Sequence, residues 1–162
     1  MLLRWNKVNT RISCLIHTLN DERTLGRTLE VLRACDEIVV VDHGSTDNTV
    51  RIARQYGARV VPGVAGVDKG AYAVDCRNDW VLCLLPAETI NERLEAALLE
   101  WKQQKHSDEL GLCCTVREET DSGWKTHEPQ MRLVNRQKLN WQDAFPNVIE
   151  GDRLAGEVLR PK

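Results

Sequence analysis

Residues 12–61 read ISCLIHTLNDERTLGRTLEVLRACDEIVVVDHGSTDNTVRIARQYGARVV, and strand and helix patterns alternate along them. Ile12 to Thr18 is a short apolar run that closes in polar residues, as a buried strand does. Asp21 to Ala34 carries Leu25, Leu29 and Leu32 at helical spacing, which predicts a helix with one apolar face. Glu37 to Asp42 (EIVVVD) is rich in β-branched residues and stops at an acid, the mark of a second strand. Thr49 to Tyr56 predicts a second helix, with Ser45, Thr46 or Asp47 as its N-cap and Gly57 as its stop. Arg59 to Val61 is a brief strand ended by Pro62. Strands joined by helices in this order predict an α/β fold with a largely parallel sheet, covered on both faces and linked by right-handed crossovers.

The pattern continues downstream. A Gly- and Val-rich connection, Gly63 to Gly70, leads to a short helix around Ala71 to Cys76 and a buried strand, Trp80 to Leu85. Asn91 to Gln104 predicts a helix with Leu94, Ala97, Leu98 and Trp101 on one stripe. The last third changes character. Leu112 to Arg117, Gln130 to Asn135 and Leu139 to Trp141 read as strands, the first two separated by the polar loop EETDSGWKTHEP. From Gly151 onward the chain is expected to be loosely held.

With 162 residues the chain is long enough for a single domain with its own core. Its net charge of −2 offers no basic field, which excludes nucleic acid as the main partner. No apolar run approaches the roughly 20 residues that span a bilayer, and the start, MLLRWNKVNTR, does not read as a signal peptide. Six cysteines (Cys14, Cys35, Cys76, Cys83, Cys113 and Cys114) form no CxxC pair. They read as small buried hydrophobes of a reducing compartment, so the cytoplasm is the expected location and no metal is expected on them.

In open α/β sheets, ligands bind outside the carboxyl ends of the strands. His17, Thr18, Asn20 and Glu22 follow the first strand; Asp42, Gly44, Ser45 and Asp47 follow the second. Neighbouring parallel strands lie about 4.8 Å apart, so both groups can face one crevice. A nucleoside suits it. A carboxylate accepts from a base imide or a ribose hydroxyl, an Asn binds a base edge, and Gly44 lets the backbone turn close to a ligand. The alternative is that Ser45 to Asp47 only cap a helix and Asp42 only ends a strand.

The segment from Arg11 to Val61 resembles the start of the family 2 glycosyltransferases, which have the GT-A fold. It is closest to the branch of lipopolysaccharide-core glucosyltransferases, where a TLNEE-like segment precedes EIVVVDSGSTDGT. The resemblance implies a three-layer, GT-A-like domain over residues 1–162, with a nucleotide-binding half (11–104) and a shortened acceptor-side half (105–162). It also implies a nucleotide-sugar pocket in which Thr18, Asn20, Glu22, Asp42, Gly44 and Ser45 lie near base and ribose, and Asp47 supports the loop.

Further along, DKGAYAVDCRNDWVLCLLPAETI resembles the stretch leading to the family's LDADE motif, but the two aspartates are replaced by Leu85 and Ala87. That pair holds a divalent metal on the donor's diphosphate in the family. Neither Leu nor Ala ligates a cation, so no divalent metal is expected at the usual site of this degenerate motif. If the metal contributed about 4 kcal/mol, its loss costs roughly a thousandfold in rate. Lys69 and Arg77 are candidate replacements by charge, and Glu88, the surviving acid, is the candidate catalytic base. QMRLVNRQKLNW resembles the family's RLF-type strand, after which the usual His-Glu pair gives way to FPNVIE. His127 and Glu128 precede that strand and cannot be equated with the pair, while His43 and Trp124 are possible contacts for a nucleotide and a sugar ring. The expected function is a nucleotide-sugar transferase domain with impaired transfer; the alternative is a non-catalytic nucleotide-binding or scaffold module that engages a protein partner.

Overall fold

The apolar runs become strands in the computed structural model, which describes residues 8–106 and 108–162. β1 (Ile12–Thr18) is buried along its whole length, with β2 (Glu37–Asp42) and β4 (Trp80–Leu84) parallel to it on either side. β3 (Arg59–Pro62) extends the parallel set beyond β2. β5 (Thr89–Ile90), β6 (Gly111–Thr120), β7 (Gly123–Thr126), β8 (Gln130–Asn135) and β9 (Arg153–Arg160) complete one nine-stranded sheet. Its order is β3-β2-β1-β4-β8-β6-β9-β5, with β7 paired to β6. The parallel centre expected from the sequence is therefore present, and a mixed extension starts where β8 meets β4 antiparallel, with β6 and β9 parallel to each other inside it.

Both faces are covered, because successive side chains of a strand point to opposite sides. Cys14 and Ile16 of β1 face α1 (Leu25–Glu30) and α3 (Glu92–Trp101), packing with Leu25, Leu29, Leu94 and Leu98. α2 (Thr49–Gln55) adds Ala53 to the same cluster. Leu15 faces the other way, onto Val39, Val41, Tyr72 and Trp141, beneath a 3-10 helix (Lys69–Asp75). Each fully buried Leu or Ile contributes about 1.5–3 kcal/mol. The cysteines are free thiols, and burial pushes the Cys76 and Cys114 thiols up to about 12. Five of the six are buried packing groups, as read from the sequence, while Cys35 is only partly buried.

Four expectations are corrected. The first helix is Leu25–Glu30 rather than Asp21–Ala34, because the Asp21 carboxylate accepts from the Thr18 hydroxyl and the Leu19 amide, holding a turn ahead of the helix. The polar loop contains a strand: β6 runs on to Thr120 and pairs with β7. Leu139 to Trp141 is not a strand; Trp141 instead packs over Gly70, where a Cβ would overlap the Trp141 carbonyl. The carboxyl end is not loose, since β9 inserts between β6 and β5 with Leu154 and Val158 buried. Gly156 allows this: at φ +91° it lies so close to the start of α3 that a Cβ would overlap the Leu94 nitrogen.

Candidate nucleotide site

The parallel register sets Thr18 beside Asp42, so the two loops that follow β1 and β2 leave the sheet together. They interlock. Asn20, in the left-handed region at φ +56°, donates its amide to Ser45 Oγ (2.9 Å) and accepts the Thr46 amide on Oδ1 (2.8 Å). Glu22 accepts the Asn48 amide at 3.0 Å and donates its own to Asp47 Oδ2 at 3.3 Å. Asp47 Oδ1 accepts the Thr49 amide and hydroxyl in a turn just ahead of α2, whose N-cap is Asn48 rather than the expected Ser45, Thr46 or Asp47. Asp21, which the sequence reading passed over, donates its amide to Thr49 Oγ1 (2.8 Å) and joins the same clasp.

This arrangement sorts the predicted residues. The structure brings Thr18, Asn20, Glu22, Asp42, Gly44, Ser45 and Asp47 together, but most of their polar atoms bind one another. Asp42 differs. Its Oδ2 accepts the amides of Gly44 (3.2 Å) and Ser45 (3.1 Å), made possible by Gly44 at φ +97°. Its Oδ1 is buried and has no partner among the described residues. A buried carboxylate oxygen left unpaired costs about 1–3 kcal/mol or more, and a ligand's N–H or O–H relieves that cost.

Next to Asp42 lies a cavity of about 290 Å³ lined by His17, Thr18, His43, Lys69, Leu85 and Pro86, among others. His17 Nδ1 stands 2.9 Å from His43 Nε2, and its Nε2 stands 3.0 Å from the Lys69 carbonyl. Burial and the neighbouring His43 push His17 down to about 4, so it is neutral near pH 7. Lys69 is thus at the pocket. Arg77 is not: its amide binds Glu37 at the start of β2, at the opposite end of the sheet.

The positions that would hold a metal do not fit one. Leu85 and Ala87 offer no ligand atom, and among the described residues no three His, Cys, Asp or Glu side chains cluster as a cation site. Glu88 does not fit the role of base either. It is fully buried, its two oxygens take 2.6 and 2.8 Å hydrogen bonds from the equally buried Arg132, and Leu85 N and Arg160 also donate to it. Burial alone would raise its carboxyl, but Arg132, Leu85 and Arg160 outweigh that and hold it below the usual carboxylate range. An ionised, enclosed carboxylate is a poor proton acceptor for an external hydroxyl. His127 pairs with Glu118 at 2.7 Å rather than with Glu128, and Trp124 lies half exposed with the Arg117 guanidinium 5.6 Å from its ring centre.

The Glycosyl transferase family 2 model matches residues 13–148, most of the chain. The chain belongs to glycosyltransferase family 2. Among relatives of this family 2 member, a glycosyltransferase of Rickettsia typhi is 38% identical over 111 residues, covering 66% of this chain and 38% of that one. The lipopolysaccharide core biosynthesis glycosyltransferase LpsC of Rhizobium meliloti is 47% identical over 98 residues, covering 55% and 34%. Of solved structures, Staphylococcus aureus TarS 1–349 in complex with UDP superposes with a TM-score of 0.51 at 20% identity, over 69% of this chain and 36% of that one. That likeness places the family 2 domain in the GT-A fold. The chain spans little more than a third of the relatives named here.

Proposed function

We propose that this chain is the nucleotide-sugar-binding part of a family 2 glycosyltransferase, that Asp42 holds the donor's nucleoside, and that sugar transfer is impaired by the loss of the two metal-binding acids. The unpartnered, buried Oδ1 of Asp42 carries the reading: it is the acceptor left free in an otherwise interlocked pair of loops. A base imide or a ribose hydroxyl would complete it. Impairment follows from chemistry. Without a cation or an equivalent charge the leaving diphosphate is poorly stabilised, and Glu88 is tied up in an ion pair.

UDP is the first probe, since TarS, which shares the fold, has been solved with it, and GDP is the second. Thermal-shift titration with each should add about 2.7 kcal/mol of stability at a hundred times the dissociation constant. Asp42→Asn is the informative variant. Its remaining oxygen can still receive the Gly44 and Ser45 amides, while an NH₂ replaces the free acceptor. The loss expected is about 1–3 kcal/mol, a complex weaker by about five- to 150-fold. Equal affinity in Asp42→Asn, or binding of neither nucleotide, would overturn the assignment. Bound nucleotide without any turnover of the sugar conjugates would mark a non-catalytic nucleotide-binding module instead.

A further inference from the structure

Accepting that nucleotide reading, we propose that the donor's diphosphate is held without a metal, by Lys69 and a protonated His43, and that binding it takes up one proton. The argument starts from the two histidines. The Lys69 carbonyl can only accept, so His17 Nε2 carries a hydrogen and donates it. His17 is neutral, its proton affinity pushed down to about 4, which leaves Nδ1 as an acceptor. The 2.9 Å contact must therefore be a hydrogen bond from His43 Nε2–H to His17 Nδ1. One nitrogen of the pair remains able to take a proton, His43 Nδ1, and it makes no hydrogen bond among the described residues. A proton added there yields an imidazolium that still donates to His17.

The surroundings suit an anion. Lys69 lines the same cavity and forms no ion pair among the described residues. Leu19, Leu85, Pro86 and Ala144 supply apolar walls, which strengthen the attraction between a fixed cation and a phosphate. The wall at Leu85 is fixed, because its amide donates to Glu88 at 2.9 Å. Gly63 makes space for the histidine, since a Cβ there would overlap the His43 ring. Of the other titratable groups nearby, the Tyr72 ring lies edge-on to His43 at 6.3 Å, Asp21 lines the same cavity, and Asp42 precedes His43 in the chain. One oxygen of each carboxylate is already held, Asp21 by the Thr18 hydroxyl and Leu19 amide, Asp42 by two loop amides. The apolar residues at the positions of the family's metal ligands thus come with a histidine pair and a lysine that can hold a bound diphosphate, short of the charge that a divalent cation gives a leaving group.

Calorimetry with the full chain tests this in EDTA, comparing uridine with UDP in two buffers of different ionisation enthalpy near pH 7. UDP should bind at least about tenfold tighter than uridine, a difference of about 1.4 kcal/mol. UDP should also take up a proton from the buffer, approaching one per complex as its affinity for the protonated form rises, whereas uridine takes up none. Lys69→Met, a change at an exposed side chain, should reduce UDP affinity about tenfold more than uridine affinity. His43→Asn should do the same and abolish the proton uptake. Equal binding of uridine and UDP, a UDP preference that appears only with manganese, or proton uptake that persists in His43→Asn would overturn the proposal and leave the nucleoside site standing. Failure of uridine and UDP alike would overturn both.

Discussion

Arg132→Met tests whether the acid that survives beside the lost metal motif is structural. Arg132 and Glu88 are both fully buried and share two hydrogen bonds of 2.6 and 2.8 Å, while Arg132 also donates to the Cys83 carbonyl and to Gln130. Removing one partner of such a pair costs about 3–5 kcal/mol, because a charge is left buried without its match. Here Arg160 at 3.0 Å and the Leu85 amide at 2.9 Å still serve Glu88, which puts the expected loss near the low end, about 3 kcal/mol. For a chain of this length each kcal/mol lowers the melting temperature by about 2–4 °C, so Arg132→Met should melt about 6–12 °C early. Urea titration and calorimetry measure both quantities. Glu88→Gln alone should also destabilise, and combining it with Arg132→Met should cost less than the sum of the two, since each removes the same pair. A loss below about 1 kcal/mol in Arg132→Met, or strict additivity, would refute the reasoning. A Glu88→Gln protein of unchanged stability and abolished transfer would return Glu88 to a chemical role.

Two further outcomes are expected. His17 is held at about 4 in the folded chain against 6.5 for a free imidazole, so the unfolded chain binds the proton first; stability is full above about pH 6.5, falls by on the order of 3 kcal/mol as the pH drops to about 4, and loses that slope in His17→Asn, whereas an unchanged slope would show that another group carries it. Leu85 and Ala87 are half-buried, so Leu85→Asp/Ala87→Asp should fold and make UDP binding manganese-dependent, while indifference to manganese would mean that this loop cannot present ligands.

Most strands were legible because the apolar runs are dense and end in turn residues or acids: Ile12–Thr18, Glu37–Asp42 and Gln130–Asn135 need no tertiary information. β9 was not, since Gly156 interrupts its alternation and its presence reflects the close approach of α3. β7 was not, since all four of its residues are exposed and no apolar period marks a two-sided polar hairpin. The site shows the same boundary. Spacing and a family resemblance say that Asn20, Glu22, Ser45 and Asp47 approach Asp42; they do not say that the first four satisfy one another and leave one oxygen of Asp42 open. Nor does sequence pair residues as distant as Glu88 and Arg132, although Glu88 stood out as the surviving acid and Arg132 lies within the QMRLVNRQKLNW segment.

That pair explains how the loop after β4 can lose its chemistry and keep its shape. Glu88 receives the Leu85 amide from its own loop, Arg132 from β8 and Arg160 from β9, so one carboxylate joins the end of the parallel centre to the strands beyond β4. Arg132 in turn lies 3.8 Å from the centre of the Phe145 ring, which fixes the segment carrying Ala144 against the pocket. Leu85 enters these contacts through its backbone amide, and Ala87 makes none of the hydrogen bonds to Glu88, so neither side chain is one of the polar groups that hold the loop. Metal ligation, which in the family pattern resides in two side chains, is therefore separable from loop architecture, which here resides in an ion pair one residue beyond those positions. A loop built this way can discard a cation site without unfolding, and whether sugar transfer survives then depends on whether another charge reaches the diphosphate.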